Sequence, residues 1–441
     1  MNAGISPLKT AAEVALNDMF AAVRTSLPGG DAVAALRRNA FDRFGVSGLP
    51  HARLEDWKYS DLKRLVRDAK PLAPRPDSAA RAAATGAGRR FAGIGARRLL
   101  VVDGEFAPEL SDLAGLQAGV SIRATAEALK RDEPVLKIAD SGRGIDPAAA
   151  LNTAFAGDGV LIAIDSNVIV DRPIHLVFVS TARTPSAVFV RSRLEVGKGA
   201  ELTLLETHEG PDRSDYQVNS VLDVTLGERA QLDHIKVTGE GDGALHIATL
   251  SAELGADAAY RGFGLVHGGA VVRNQMFLKL AGDRSSADVQ QASLLAERQH
   301  ADTTLVVDHA AVGSQSREVF KAVVDDEARA VFQGRIAVQT GAQQTDARMM
   351  ARALLLSDDA TANCKPELEI FADDVQCGHG STIGALDERL KFYLMARGIP
   401  EKQAESLLIE AFVKEVIDSI ASEGVRDALT QAMSDWLERR G

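Results

Sequence analysis

The order of apolar and polar positions divides the chain into three stretches. In the first, Ala11 to Leu27 carries apolar residues at helical spacing (Val14, Leu16, Met19, Phe20, Val23), and Pro28-Gly29-Gly30 ends the run. A second helix is expected from Asp31 to Phe44, stopping near Gly45. Leu54-Glu-Asp-Trp-Lys-Tyr-Ser60 then presents two aromatic residues at i and i+2. The segment from Pro71 to Arg90, rich in Pro, Ala, Arg and Gly, reads as a linker, and Arg98 to Gly104 as a strand and turn. Residues 1–150 are therefore expected to form an N-terminal helical or α+β region.

From about Leu151 to Gly384 short β-rich runs alternate with Gly, Asp and Asn turns. Three segments repeat: Val196-Gly-Lys-Gly-Ala200, Leu226-Gly-Glu-Arg-Ala230 and Leu254-Gly-Ala-Asp-Ala258. Their leading glycines, Gly197, Gly227 and Gly255, recur roughly every 30 residues, a period that suggests stacked solenoid coils. Later turns fall closer together (Asp325-Asp326, Thr340-Gly341, Asp358-Asp359, Asp373-Asp374), as if each coil had two straight sides. A β-sandwich also yields many short strands, so periodicity alone leaves both open. The third stretch, 386–441, returns to helix: Asp387 to Arg397, then Glu401 to Ala421 with the stripe Ala404, Leu407, Leu408, Ala411, Phe412, Val416, Ile417 and Ile420, then Val425 to Arg439.

Composition narrows the function classes. At 441 residues the chain can bury a large core in two or three domains, and 25% charged with 46% hydrophobic residues is ordinary globular composition. A net charge of −11 argues against a general nucleic-acid binder. The arginine-rich stretch from Arg37 to Arg98 lacks the aromatic interleaving of a nucleic-acid platform and reads as a solvated basic module. Two cysteines give no disulfide framework, and no apolar run resembles a signal peptide or membrane span, so a cytoplasmic location is expected. No P-loop, dinucleotide fingerprint, nucleophile elbow or His-Glu-x-x-His helix is present. The glycines of Gly262-Phe-Gly264 and Gly268-Gly269 read as turn glycines.

The chemistry concentrates in Cys377-Gly-His379. In a strand, i and i+2 face the same way, so the thiol and the imidazole can look in one direction. That pair suits zinc, copper or iron–sulfur chemistry but is half of a coordination sphere. Glu367, Glu369, Asp373 and Asp374 add oxygen donors nearby, although an acidic solvated face also explains them. His208, His234, His246, His300 and His309 read as structural, as does Cys364.

The segment Asn363-Cys-Lys-Pro-Glu-Leu-Glu-Ile-Phe-Ala-Asp-Asp-Val-Gln-Cys-Gly-His-Gly-Ser-Thr-Ile-Gly384 resembles the signature of the SufB/SufD family of iron–sulfur cluster assembly proteins. The resemblance continues through Leu386-Asp-Glu, Phe392 to Ile399 and Leu408 to Phe412, and Leu54 to Ser60 is similar to the SufD branch. It implies a mainly β protein: a right-handed parallel β-helix core (151–385) between the N-terminal region and a C-terminal helical domain (386–441). It further implies a non-catalytic scaffold paired with a SufB homologue, a homodimer being the alternative in isolation. The helical domain would dock on SufC, an ABC-type ATPase, with Leu408, Phe412 and Val416 as the docking residues, and this chain would bind no nucleotide itself. His379 and Cys377 match the family positions where iron or a nascent cluster is shared with SufB, His379 being the better ligand. Two other readings rest on the residues alone: a β-helix polysaccharide-active enzyme, and a thiol-redox or cysteine-nucleophile enzyme.

Overall fold

A computed structural model describes residues 9–138, 143–181 and 184–440. Its centre is a parallel β-solenoid whose coils contribute alternately to a ten-stranded and a nine-stranded sheet. The ten-stranded sheet runs from Ile174–Val179 through Glu201–Glu209, Gln231–Gly239, Ala259–Val266, Ser286–Leu295, Gln315–Val324 and Asp346–Leu355 to Gln376–Ala385. The facing sheet runs from Val160–Ile164 through Ser186–Val196, Tyr216–Leu226, Leu245–Leu254, Val271–Leu280, His300–His309 and Arg329–Val338 to Thr361–Ile370. The solenoid expectation therefore holds over the sandwich, and each coil has the two straight sides that the turn spacing suggested.

The repeated glycines explain the stacking. Gly197, Gly227, Gly255 and Gly282 lie above one another, and a Cβ at Gly227 would sit 2.7 Å from the backbone nitrogen of Lys198 one coil below. The residue before each turn alanine or serine takes a left-handed conformation, with φ of 64° at Gly199, 59° at Arg229, 57° at Asp257 and 56° at Arg284. Its N–H donates to the next coil, as Gly199 to Glu228 O and Arg229 to Ala256 O, each at 2.8 Å. Between the sheets, alternate residues of each strand fill the lumen, among them Leu202, Leu232, Tyr260 and Ala287 in one register column.

The N-terminal region is continuous with this core. Arg97–Val102 pairs in parallel with Ile174–Val179, and Val120–Ala124 pairs antiparallel with Val160–Ile164, so the sheets begin well before residue 151. The stretch from Pro71 to Arg90 is not a loose linker. Ala73 N donates to Ala187 O at 2.8 Å, helix Ser78–Ala84 is capped by Asp77, and Ala84 and Ala87 pack on Leu100, Val102 and Val177. Small residues that looked uncommitted in sequence are small because they lie flat on a sheet. Nor is the arginine-rich stretch simply a solvated module. Arg37 is buried and donates to Ala154 O and Pro28 O, each at 3.1 Å, while Arg97 donates to the carbonyls of Ala114 and Gly115 at 2.9 Å.

At the other end, helices Glu401–Ile417 and Glu423–Arg440 lie against the outer face of the ten-stranded sheet. Ile409, Val413, Val416, Ile417, Leu429, Met433 and Trp436 pack on Leu205, Ile235, Phe263, Leu265, Leu294 and Val323. Val416 is buried within the chain itself, so its place in the stripe reflects packing on the solenoid; Leu408 and Phe412 are half-buried. Lys321 fastens the helix pair by donating to Phe412 O and Glu415 Oε2 at 2.6 Å. Helix Glu388–Met395, by contrast, buries none of its residues. Among the described residues no helix is long and apolar enough to cross a membrane.

The glycine column yields a direct test of the stacking. A Cβ at Gly282 would drive into the backbone of Gly255 and Ala256, whereas one at Gly341 meets nothing within 4 Å. Gly282→Ala should lower the unfolding free energy in urea by about 2–4 kcal/mol, and Gly341→Ala by less than about 0.5 kcal/mol. Equal effects would contradict the stacked register.

Candidate functional site

Gln376–Ala385 is the last strand of its sheet, and Thr361–Ile370 the last of the facing one. Cys377 lies over Ala347 and His379 over Met349, and both of those residues belong to the buried lumen core. Both side chains therefore point toward the lumen, as their i, i+2 spacing predicts. Nothing in the chain stacks above them among the described residues, so His379 is exposed and Cys377 half-buried. From the facing strand, Cys364 lies over Phe332 and Leu368 over Ile336, which also turns them inward. Both cysteines of the chain thus look into one lumen mouth, a relation that the sequence reading of Cys364 as merely structural missed.

The rim of this mouth is apolar. Ile370, Phe371 and Ile383 are exposed, Phe371 by 61%. Among the described residues no further strand pairs with either terminal strand, and a sheet edge of this kind invites pairing with another chain. Burial pushes both thiols above the usual range, Cys377 partly offset by a hydrogen bond with the Ala347 backbone. Neither is an activated nucleophile in this arrangement, which weighs against the thiol-enzyme reading. Glu367 and Glu369 do not join the mouth. They point outward, paired with Arg143 at 3.2 and 3.0 Å. Asp374 lies in a turn, where its N–H donates to Gln343 Oε1. Among the described residues no three His, Cys, Asp or Glu side chains converge to hold a metal.

Beneath the mouth lies a group that sequence reasoning did not single out. Glu318 sits under Met349, which sits under His379 in the same register column. The residue is 1% exposed, and among the described residues its carboxyl lies near Ser316 without a well-formed hydrogen bond. Burial pushes it up to about 8, so it is largely protonated at neutral pH. The strand alternation could have flagged it, since Val319 faces the other way between two inward positions, but a single charged residue in a strand of uncertain parity gives no signal.

Deeper in the lumen, three of the dispersed histidines meet. His208 Nε2 and His234 Nε2 lie 2.6 and 2.9 Å from the two oxygens of Glu206. Tyr260 OH is 3.1 Å from His234 Nδ1, and Lys236 Nζ is 3.4 Å from His246 Nε2 and 3.2 Å from Asn274 Oδ1. His246 pairs in turn with Glu240 at 2.7 Å. Burial works against the Glu206 charge, but Lys236 and the two histidines hold it well below the usual carboxylate range. His208 is driven down to about 4 by burial. His300 and His309 are satisfied by Ser60, and by Ser314 and Ser316. All five histidines have hydrogen-bonding or ion-pair partners inside the fold.

Comparison with known proteins decides the family. The model of the SUF system FeS cluster assembly SufBD core domain matches residues 178–412, and that of the SufBD protein N-terminal region matches residues 10–176. The chain belongs to the SufBD family of the SUF iron–sulfur cluster assembly system. A SufBD family protein of Synechocystis sp. is 32% identical over 412 residues, covering 90% of each chain. The iron–sulfur cluster assembly protein SufD of Escherichia coli is 28% identical over 394 residues, 86% of this chain and 87% of its own. A SufBD family protein of Mycobacterium tuberculosis is 27% identical over 418 residues, 92% and 95% of the two. The SufBD core match includes the whole lumen mouth, with Cys364, Cys377 and His379, and helix Glu388–Met395.

Glu318 makes the mouth of this SufBD protein testable by pH. Its unfolded carboxyl ionises near 4.5 and its folded one near 8, so the folded state holds the extra proton between them. Stability relative to Glu318→Gln should therefore fall as pH rises from about 4.5 to 8, by on the order of 5 kcal/mol, and level off above. A pH-independent difference in urea unfolding would mean that the carboxyl is solvated.

Proposed function

We propose that this SufBD protein is a non-catalytic scaffold subunit that supports iron acquisition and cluster formation at the face between its open solenoid end and a SufB homologue. One observation carries the reading: among the described residues no strand stacks on the last coil, and it aims a thiol and an imidazole into the mouth beside exposed Phe371 and Ile383. The iron or nascent cluster is cargo, and a homologous partner completes its coordination. His379 is the principal ligand of this chain, because its imidazole is exposed at the mouth where a partner can reach it. Cys377 is the second; binding there must displace the proton that burial stabilises on the thiol.

The N-terminal region to about residue 150, the core to 385 and the helical part from 386 divide the work. Nucleotide chemistry enters from SufC. With Val416 buried on the solenoid, docking falls to the free surface of helix Glu388–Met395, where Leu390, Phe392, Tyr393 and Met395 are all exposed, together with Leu407 of helix Glu401–Ile417. Leu408 and Phe412 of that same helix are half-buried. Because Glu401–Ile417 is packed on the outer sheet at Ser286–Leu295 and Gln315–Val324, a pull on that patch is delivered to the solenoid rather than absorbed by a loose tail.

Co-expression with SufB and SufC homologues tests both parts. His379→Ala should leave the complex intact on size exclusion while lowering cluster content at least about tenfold, with a smaller loss for Cys377→Ser. Full cluster content in His379→Ala would remove the ligand role. Separately, Phe392→Asp with Tyr393→Asp should weaken the ATPase interaction at least about tenfold without changing the unfolding midpoint. Unchanged binding would place docking elsewhere.

A further inference from the structure

The terminal strand Thr361–Ile370 raises a mechanical problem. Interior strands are hydrogen-bonded on both sides, but this one pairs only with Arg329–Val338 among the described residues. It also contains Pro366, which has no N–H to give, a residue tolerated at an edge. Its inward positions carry Cys364 and Leu368. Its outward positions Lys365, Glu367 and Glu369 are all engaged by ion pairs that fasten it to other parts of the chain.

Arg143 is the centre of that fastening. Its guanidinium reaches Asp56 Oδ1 at 3.1 Å, Glu367 Oε2 at 3.2 Å and Glu369 Oε1 at 3.0 Å. Lys365 pairs with Glu55 and, at 3.2 Å, with Glu367; Arg335 holds the other Glu369 oxygen at 2.9 Å. Burial works against the Glu369 charge, yet Arg143 and Arg335 hold its carboxyl below the usual range.

The far side of the clasp is fixed in the body of the solenoid. Glu55 and Asp56 open the turn that carries Trp57, whose buried indole donates to Asp146 at 3.1 Å. Arg273, wholly buried, lies over the Trp57 ring at 4.6 Å, donates to Asp56 O and pairs with Asp302, each at 2.5 Å. Ser60 adds a 2.5 Å bond to the same Asp302. The Leu54 to Ser60 segment is thus an anchored bracket, and Arg143 bridges it to the free strand.

We propose that Arg143 is a positioning residue for cluster assembly, which locks the Cys364-bearing edge strand in register at the open end through the Glu55-Asp56 bracket. This rests on the reading of that end as the assembly face. Partly exposed pairs are individually weak and salt-sensitive, but a network converging on one strand restrains it. The clasp acts on Thr361–Ile370 and leaves Gln376–Ala385, with Cys377 and His379, to its own ladder.

Hydrogen–deuterium exchange on the full chain tests this. In Arg143→Ala, amides of 361–370 should exchange at least about fivefold faster, those of 376–385 unchanged. In a Cys377→Ser background, Cys364 alkylation should rise at least about threefold. Salt near 1 M should reproduce the effect in the wild type and add little in the variant. Cluster assembly with a SufB homologue should fall at least about threefold in Arg143→Ala and recover in part in Arg143→Lys, which keeps the charge but not the forked geometry. Unchanged exchange at 361–370, or an equal increase along the whole chain, would overturn the clasp. Faster exchange with full assembly would overturn the positioning role. Should His379→Ala assemble normally while the exchange result holds, the assembly-face reading fails and the clasp stands.

Discussion

A solenoid coil can bury its inner face only against its neighbours, so every property of this protein depends on how the ladder is kept in register and how it ends. Register is set by the stacked glycines and the left-handed residues that follow them, where a side chain at Gly227 or Gly282 would strike the coil below. That register fixes the inward columns. It places Glu318, Met349 and His379 in one line, and Ser316, Ala347 and Cys377 in the next.

The two ends of the ladder are built differently. At the start, the parallel sheets close with short antiparallel strands, Glu105–Phe106 on one and Val120–Ala124 on the other, and the N-terminal helices cover the adjoining surface. At the finish, two ten-residue strands end their sheets with no further strand paired to them among the described residues, and apolar side chains are exposed beside them. An uncapped end of this kind is an aggregation hazard unless a partner covers it. The thiol of Cys377 and the imidazole of His379 lie at this end, on the proposed assembly face. The outer helices pack on the ten-stranded sheet, and the Glu55-Asp56 bracket is tied to the terminal strand Thr361–Ile370 through Arg143.

Much of this was legible in the sequence, and for a physical reason: backbone constraints leave local marks. Gly197, Gly227 and Gly255 announced the coil, and Cys377-Gly-His379 announced two side chains on one face because strand alternation is strict. What escaped depends on parity and long-range placement. Val416 belonged to a correct helical stripe, but a stripe does not say whether its own solenoid or another protein covers it. Arg37 and Arg97 looked like surface charges, yet backbone carbonyls from distant segments satisfy them inside the fold. Glu367 and Glu369 looked like spare ligands until Arg143, more than two hundred residues away, claimed them. The meeting of Glu206, His208, His234 and His246 follows from a register that only the stacked coils define.

The central claim is that the open end, and no other surface, meets the homologous partner. Amide exchange of this chain mixed with a SufB homologue, without the ATPase, tests it most directly. The account predicts slowed exchange confined to Thr361–Ile370 and Gln376–Ala385, with helix Glu388–Met395 unprotected until the ATPase is added. Protection elsewhere on the solenoid, with both terminal strands exchanging as in the free chain, would contradict it.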